Sequence, residues 1–184
     1  ISKSHMVSAV YGIEKVMGKD YSPVRKLFDH CLNTFLKDRP ILFVLTVTTA
    51  PDDCIQTHGV FIGNERKALE SAIALSQEKN ITFLDKPIKK CVVFLPPDEF
   101  KSTWIGNKSV YRTRLAIADG GELLVLAPGI QHFGEDAKMD ALIRKYGYHG
   151  KKRTLEMFAE STELQENMGA AAHLIHASSD DRFS

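Results

Sequence analysis

Cysteine is scarce: three residues in 184 (Cys31, Cys54 and Cys91), widely spaced and with no CxxC pair. An odd count without a framework excludes a disulfide-stapled secreted scaffold and points to free thiols in a reducing cytoplasm. Excess charge of one sign is also missing. The net charge is +1, which leaves no electrostatic footprint for nucleic acid or an anionic membrane. The densest basic clusters are Lys86, Lys89, Lys90 and Lys151, Lys152, Arg153. Both are short, have acidic neighbours and read as solvated faces. No apolar run approaches the ~20 residues of a membrane helix, and the apolar core of a signal peptide is missing. There is no phosphate-binding glycine loop, no GxSxG elbow and no cysteine–histidine pairing, so the commonest motifs of nucleotide and acyl-transfer enzymes are absent.

What remains is an ordinary globular composition, 43% hydrophobic and 26% charged, in a length that suits a single domain with a real core. Residues 1–184 read as one α/β domain, with a helical opening segment over 7–37, an α/β core over 41–146 and a helical tail over 151–178. Ser22-Pro23 is a helix start, a serine cap followed by proline at the first helical position. Val24, Leu27, Phe28, Cys31, Leu32 and Phe35 then share one face to about Lys37. Ile41–Thr49 and Gly59–Gly63 read as strands, with Pro51-Asp52-Asp53 turning between them. Asn64 should cap a helix running to about Asn80, and Ile81–Leu84 should be a short edge strand. Cys91–Leu95 is an apolar run expected of a strand covered on both faces. A helix over Lys108–Ala118 and a strand over Glu122–Ala127 follow, with Asp119-Gly120-Gly121 as helix stop and turn. Alternating strands and helices indicate a layered α/β domain with a mostly parallel sheet flanked by helices.

The stretch from Trp104 to Gly129 carries most of the chemical information. Ligands of open α/β sheets gather beyond the carboxyl ends of the strands. Two loops lie there: Pro96–Lys108, and Pro128–Gly134 with the sequence PGIQHFG. Each stands before a helix N-terminus, where free N–H groups favour an anion. Lys108 suits a carboxylate or a developing oxyanion as a point charge. A cation at a helix start is electrostatically misplaced by about 0.3–1 kcal/mol, which weighs against a purely structural role. Trp104, the only tryptophan, either walls a pocket or plugs the edge of the core. His132 is a candidate acid/base or hydrogen-bond donor, and Arg112 or Arg114 could reach a carboxylate. His173 and His176, three apart on one helix face with Asp180 and Asp181 downstream, make a metal site and a small metallo-hydrolase conceivable.

The order of segments from about Gly18 to Ala177 resembles the C-terminal lobe of the nickel-pincer-dependent lactate racemase family. The resemblance rests on the SPV-opened helix at Ser22, the strand run Ile41–Thr49 and the GVFIGNERKALESA segment from Gly59. Its fourth part is Lys108, followed by an alanine-containing helix closing in Asp119-Gly120-Gly121. It implies that the chain is the substrate-holding lobe of a larger two-lobed racemase or epimerase. The N-terminal lobe would hold the nickel-pincer nucleotide and two histidine acid/bases, and this lobe alone would be inactive. Lys108 would be the lysine that holds and polarises a 2-hydroxy acid during reversible hydride transfer, with Trp104, His132 and Arg112 around the substrate. The family has tyrosine and glutamine where this chain has Trp104 and Ile105. The lost glutamine implies a substrate other than plain lactate, such as a sugar acid. The alternative is an α/β module that binds such an acid without turnover.

Overall fold

The computed structural model describes residues 2–177. The fold is α/β, and it divides into two compact units, one of Gly18–Leu84 and one made of the segments before and after it.

Helix α1 (Ser2–Tyr11) opens the first unit and ends in a 3-10 turn, Ile13–Lys15. The second unit begins with α2 (Pro23–Cys31), capped by the Ser22 hydroxyl, which accepts from the Arg25 N–H at 3.2 Å. A π-helical segment, Leu32–Leu36, continues it. Strands β1 (Phe43–Thr49) and β2 (Gln56–Gly63) form an antiparallel pair in register from Phe43↔Gly63 to Thr49↔Gln56. Their connection, Pro51–Asp53, holds Asp52 and Asp53 at φ 52° and 59°. Helix α3 (Arg66–Asn80) packs on this pair. Glu65, not Asn64, occupies its cap position, and no side chain caps it. Ile81–Leu84 has no regular structure, and Phe83 is 83% exposed. The segment has no strand partner among the described residues, so its β-propensity goes unused.

The first unit resumes with β3 (Ile88–Phe94), two short helices, α4 (Thr103–Gly106) and α5 (Lys108–Thr113), and β4 (Ile117–Leu126). β3 and β4 pair in parallel, Lys90↔Glu122 through Phe94↔Leu126. The expected helix over 108–118 therefore stops at Thr113, and Asp119-Gly120-Gly121 lies inside β4. There the register jumps between Ile88↔Ile117 and Lys90↔Glu122. The extra residues bulge out, with Gly120 at φ 70°. A Cβ on Gly121 would stand 2.8 Å from the Ala118 carbonyl oxygen and 3.1 Å from that of Lys89. The two glycines thus serve a bulge rather than a helix stop.

β3 is not covered on both faces. Val92 and Phe94 on β3, with Leu124 and Leu126 on β4, are exposed, while Cys91, Val93, Leu123 and Val125 are half-buried. Helices α6 (Ala137–Tyr146), α7 (Gly150–Glu160), α8 (Thr162–Glu166) and α9 (Met168–His176) complete the unit. Asp136, Ser161 and Asn167 cap α6, α8 and α9 with their side chains. Helix α9 is buried from Ala170 to His176 and apolar on nearly every side, as a helix inside a bundle must be. α1, α6, α7 and α8 pack around it. Ile143, Leu164, Ala171 and Leu174 form one core cluster, and Ala9, Ala172 and Ile175 another. Among the described residues no helix is long and apolar enough to cross a membrane.

Candidate functional site

The two strand-end loops meet. Thr103 N–H donates to the His132 carbonyl at 3.1 Å and Trp104 N–H to that of Phe133 at 2.9 Å. Gln131 N–H donates to the Lys101 carbonyl at 2.9 Å. Ser102 and His132 form an isolated parallel bridge. The segment carrying Trp104 is thereby fixed beside the one carrying His132, beyond the carboxyl ends of β3 and β4.

This zipper narrows one expectation. The loops were expected to offer free N–H groups to an anion, and several of these N–H groups are occupied. Those of Thr103 and Trp104 serve carbonyls, and that of Ile105 reaches the Ser102 hydroxyl at 3.4 Å. On the second loop, one Asp140 carboxylate oxygen accepts from Phe133 N–H at 2.6 Å and Gly134 N–H at 3.1 Å. The Arg144 guanidinium and these bonds hold the Asp140 carboxyl down at about 2. Gly134 is required at this clamp, since a Cβ there would lie 2.2 Å from the Asp140 backbone nitrogen. α4 and α5 are also too short to develop much of a dipole.

Lys108, the first residue of α5, and Arg112, one turn on, are both exposed. Spacing of i, i+4 puts them on one face. Neither makes an ion pair among the described residues. Two like charges so placed are mutually repulsive by about 0.2–0.5 kcal/mol. Arg114 is different. It is 2% exposed, paired with Glu14, and donates from Nη1 to the His176 carbonyl at 3.2 Å, bracing the last turn of α9.

His132 is half-buried, and its Nδ1 lies 2.6 Å from the Gly134 carbonyl oxygen. A carbonyl only accepts, so Nδ1 carries the proton and neutral His132 keeps a lone pair on Nε2. That nitrogen can accept from a hydroxyl. Trp104 is half-buried and stacks on His173, with ring centroids 4.8 Å apart at 29°. It also packs against the core cluster of Ile143, Leu164, Ala171 and Leu174. No hydrogen bond or ring contact joins Lys108 or Arg112 to Trp104 or His132 among the described residues.

Pattern reading missed the partners behind Trp104. His5 of α1 packs edge-on to Trp104 at 6.0 Å and against His176 at 4.8 Å. His173 Nε2 lies 2.8 Å from the Tyr148 hydroxyl, which lies 3.2 Å from the Thr103 hydroxyl; the latter donates to the Phe133 carbonyl at 3.0 Å. Thr103 has one proton, and it goes to Phe133. Tyr148 must therefore donate to Thr103, and His173 must donate from Nε2 to Tyr148. One chain of donors runs from the buried helix to the zipper. Burial pushes His173 down to about 4 and His176 down to about 3, with His5 adding to both. Neither ring nitrogen of His176 has a hydrogen-bond partner among the described residues. The paired spacing of His173 and His176 was visible in sequence, but not its use. No group of three or more His, Cys, Asp or Glu is arranged to hold a metal ion among the described residues. Asp180 and Asp181 lie outside those residues.

No family model matches this chain, and no curated protein matches it. It is similar to the crystal structure of a protein from Thermotoga maritima, a Northeast Structural Genomics Consortium target. The TM-score is 0.76 at 25% sequence identity, over 94% of this chain and 42% of that one. This chain thus spans about two fifths of that protein's length.

Proposed function

We propose that this chain is the substrate-holding lobe of a nickel-pincer-dependent racemase or epimerase acting on a 2-hydroxy acid such as a sugar acid, in the cytoplasm. The observation that carries the reading is a pair of cations, Lys108 and Arg112, without an ion pair among the described residues, on one exposed face of the helix that follows the zippered strand-end loops. A carboxylate would relieve their repulsion and sit at the edge where α/β sheets bind ligands. His132 Nε2 supplies an acceptor for the neighbouring hydroxyl, and Trp104 walls the inner side. Lys108 contributes positive charge that is in place before the reaction begins. Free Cys31, Cys54 and Cys91 suit a reducing compartment. The alignment with 42% of a longer chain suits one lobe of a two-lobed protein.

The residues described here do not fit the cofactor itself, because none are grouped for a metal. The redox chemistry is assigned to a group held by an N-terminal lobe. The part of this chain is to bind, orient and polarise.

The test has two arms. The 184-residue chain is titrated with D- and L-lactate and with gluconate, with Lys108→Ala and Arg112→Ala alongside. Binding weakened about tenfold or more by Lys108→Ala supports the site, and binding indifferent to both substitutions sinks it. The longer protein containing this lobe, charged with the nickel-pincer nucleotide, is then assayed for epimerisation. Turnover supports the enzyme, whereas binding without turnover favours the non-catalytic module.

A further inference from the structure

The second unit contains a groove that the proposed site does not use. It has a volume of about 670 Å³ and lies between α2 with its π-helical continuation, the start of β1 and the start of α3. That volume falls within the range of small-molecule sites, about 300–1,000 Å³. Half-buried Leu32, Ile41, Leu45 and Leu69 give it an apolar lining. π-Helical turns are rare and concentrate at functional sites, and this one turns both Leu32 and Leu36 into the groove.

The charge around this lining is lopsided. Arg66 lines the groove but is consumed by Asp20, Asp29 and Glu70. Within the lining, Arg25, Lys37, Arg39 and Arg66 stand against Asp29 and Glu65, and of these cations Arg25, Lys37 and Arg39 make no ion pair among the described residues. Helix α3 begins at the same groove, and no side chain caps it. Its terminal N–H groups add to the positive potential.

We infer that this groove binds an anionic amphiphile: a carboxylate head held by Arg25, Lys37 and Arg39, with an aliphatic tail laid over Leu32, Ile41, Leu45 and Leu69. Neither half suffices alone. The cations are exposed or half-buried and would hold a free anion weakly, while a neutral apolar ligand would leave them without a partner. The inference does not rest on the proposed racemase function, since every residue it uses lies in the other unit.

The test is a titration of the isotope-labelled 184-residue chain, followed by amide shifts, with three probes. These are dodecanoate below its micelle concentration, dodecyltrimethylammonium (the same tail with the opposite head) and inorganic phosphate (charge without a tail). Dodecanoate is expected to saturate, to shift the amides of Leu32, Leu36 and Leu69, and to bind about tenfold tighter than the cationic homologue. The double substitution Lys37→Glu, Arg39→Glu, at two exposed positions, should erase that preference while leaving the far-ultraviolet circular dichroism unchanged. Equal affinity for the two heads, or shifts centred on Val92 and Phe94 instead, would show general stickiness and overturn the inference. Saturable phosphate binding at these residues would make the groove a simple anion site and overturn the amphiphile. So would recruitment of the chain to phosphatidylserine vesicles through these residues, or a dimer broken by Leu36→Asp, because the occupant would then be a membrane or a second copy.

Discussion

Acid should unfold the first unit well before its carboxylates are protonated. His173 and His176 are 2% and 3% exposed, and burial holds them at about 4 and about 3, against 6.5 when exposed. His5 is lowered in the same direction. Above pH 6.5 both histidines are neutral in the folded and unfolded chain, and no stability depends on them. Below it the unfolded chain takes up protons that the folded one refuses, so stability falls as pH falls. The loss continues until the folded-state values are reached. Each histidine contributes up to about 1.4 kcal/mol per pH unit, so the pair approaches about 3. Between pH 6.5 and 4.5 the loss reaches about 5 kcal/mol, comparable with the whole stability of a small domain. The depressed carboxylates of this unit, Asp140 and Glu163, act the same way only below their own ordinary values, so the two windows separate. Trp104, stacked on His173, reports on this unit alone because it is the only tryptophan. Urea unfolding followed by its fluorescence from pH 7 to 4.5 gives the slope. His176→Leu should cut the slope by about half. At neutral pH it should cost little, because the ring nitrogens have no hydrogen bonds to lose. A stability flat between pH 6.5 and 5, or a slope the substitution leaves untouched, would refute the assignment.

Two further substitutions examine the scaffold. Asp140→Asn weakens the carboxylate that holds both Phe133 and Gly134 N–H groups. Hydrogen exchange of those two amides should rise by about tenfold or more, since charged acceptors hold about twice as strongly as neutral ones; unchanged protection would mean that the loop is held by the strand-end zipper alone. Leu174→Ala empties a fully buried site in the centre of α9 and should cost about 2–5 kcal/mol in the same fluorescence-detected unfolding. A loss below about 1 kcal/mol would show that the helices around α9 close over the gap.

Elements whose signal is local could be read from the chain itself. Ser22-Pro23 opens α2 because the serine cap and the proline need nothing beyond the next turn. The strand-end loops were legible because position, not side-chain detail, places them. Gly120-Gly121 was misread because a helix stop and a β-bulge ask for the same residues; only the Lys89 carbonyl of the neighbouring strand decides between them. The run Cys91–Leu95 looked buried on both faces because Val92 and Phe94 are apolar, yet both are exposed. Exposure is a property of what packs nearby, and composition does not carry it. The contacts of Trp104 with His173 and His5 join segments from opposite ends of the chain, which no periodicity connects.

The arrangement around Asp140 bears on how a substrate would be chosen. Free N–H groups at the carboxyl ends of strands normally receive the anion of a ligand. Here the protein's own carboxylate takes two of them, and the zipper takes others. On the proposed reading a substrate carboxylate would therefore be held by long side chains, and Lys108 and Arg112 would differ in how they hold it. Arg112 offers a planar fork that sets the plane of a carboxylate, while Lys108 offers a point charge that can follow a developing one. On the proposed reading, Arg112→Lys should relax discrimination between acids that present the carboxylate at different angles. Lys108→Arg should preserve affinity and lose polarisation. A site in which the two were interchangeable would be holding charge without orienting it.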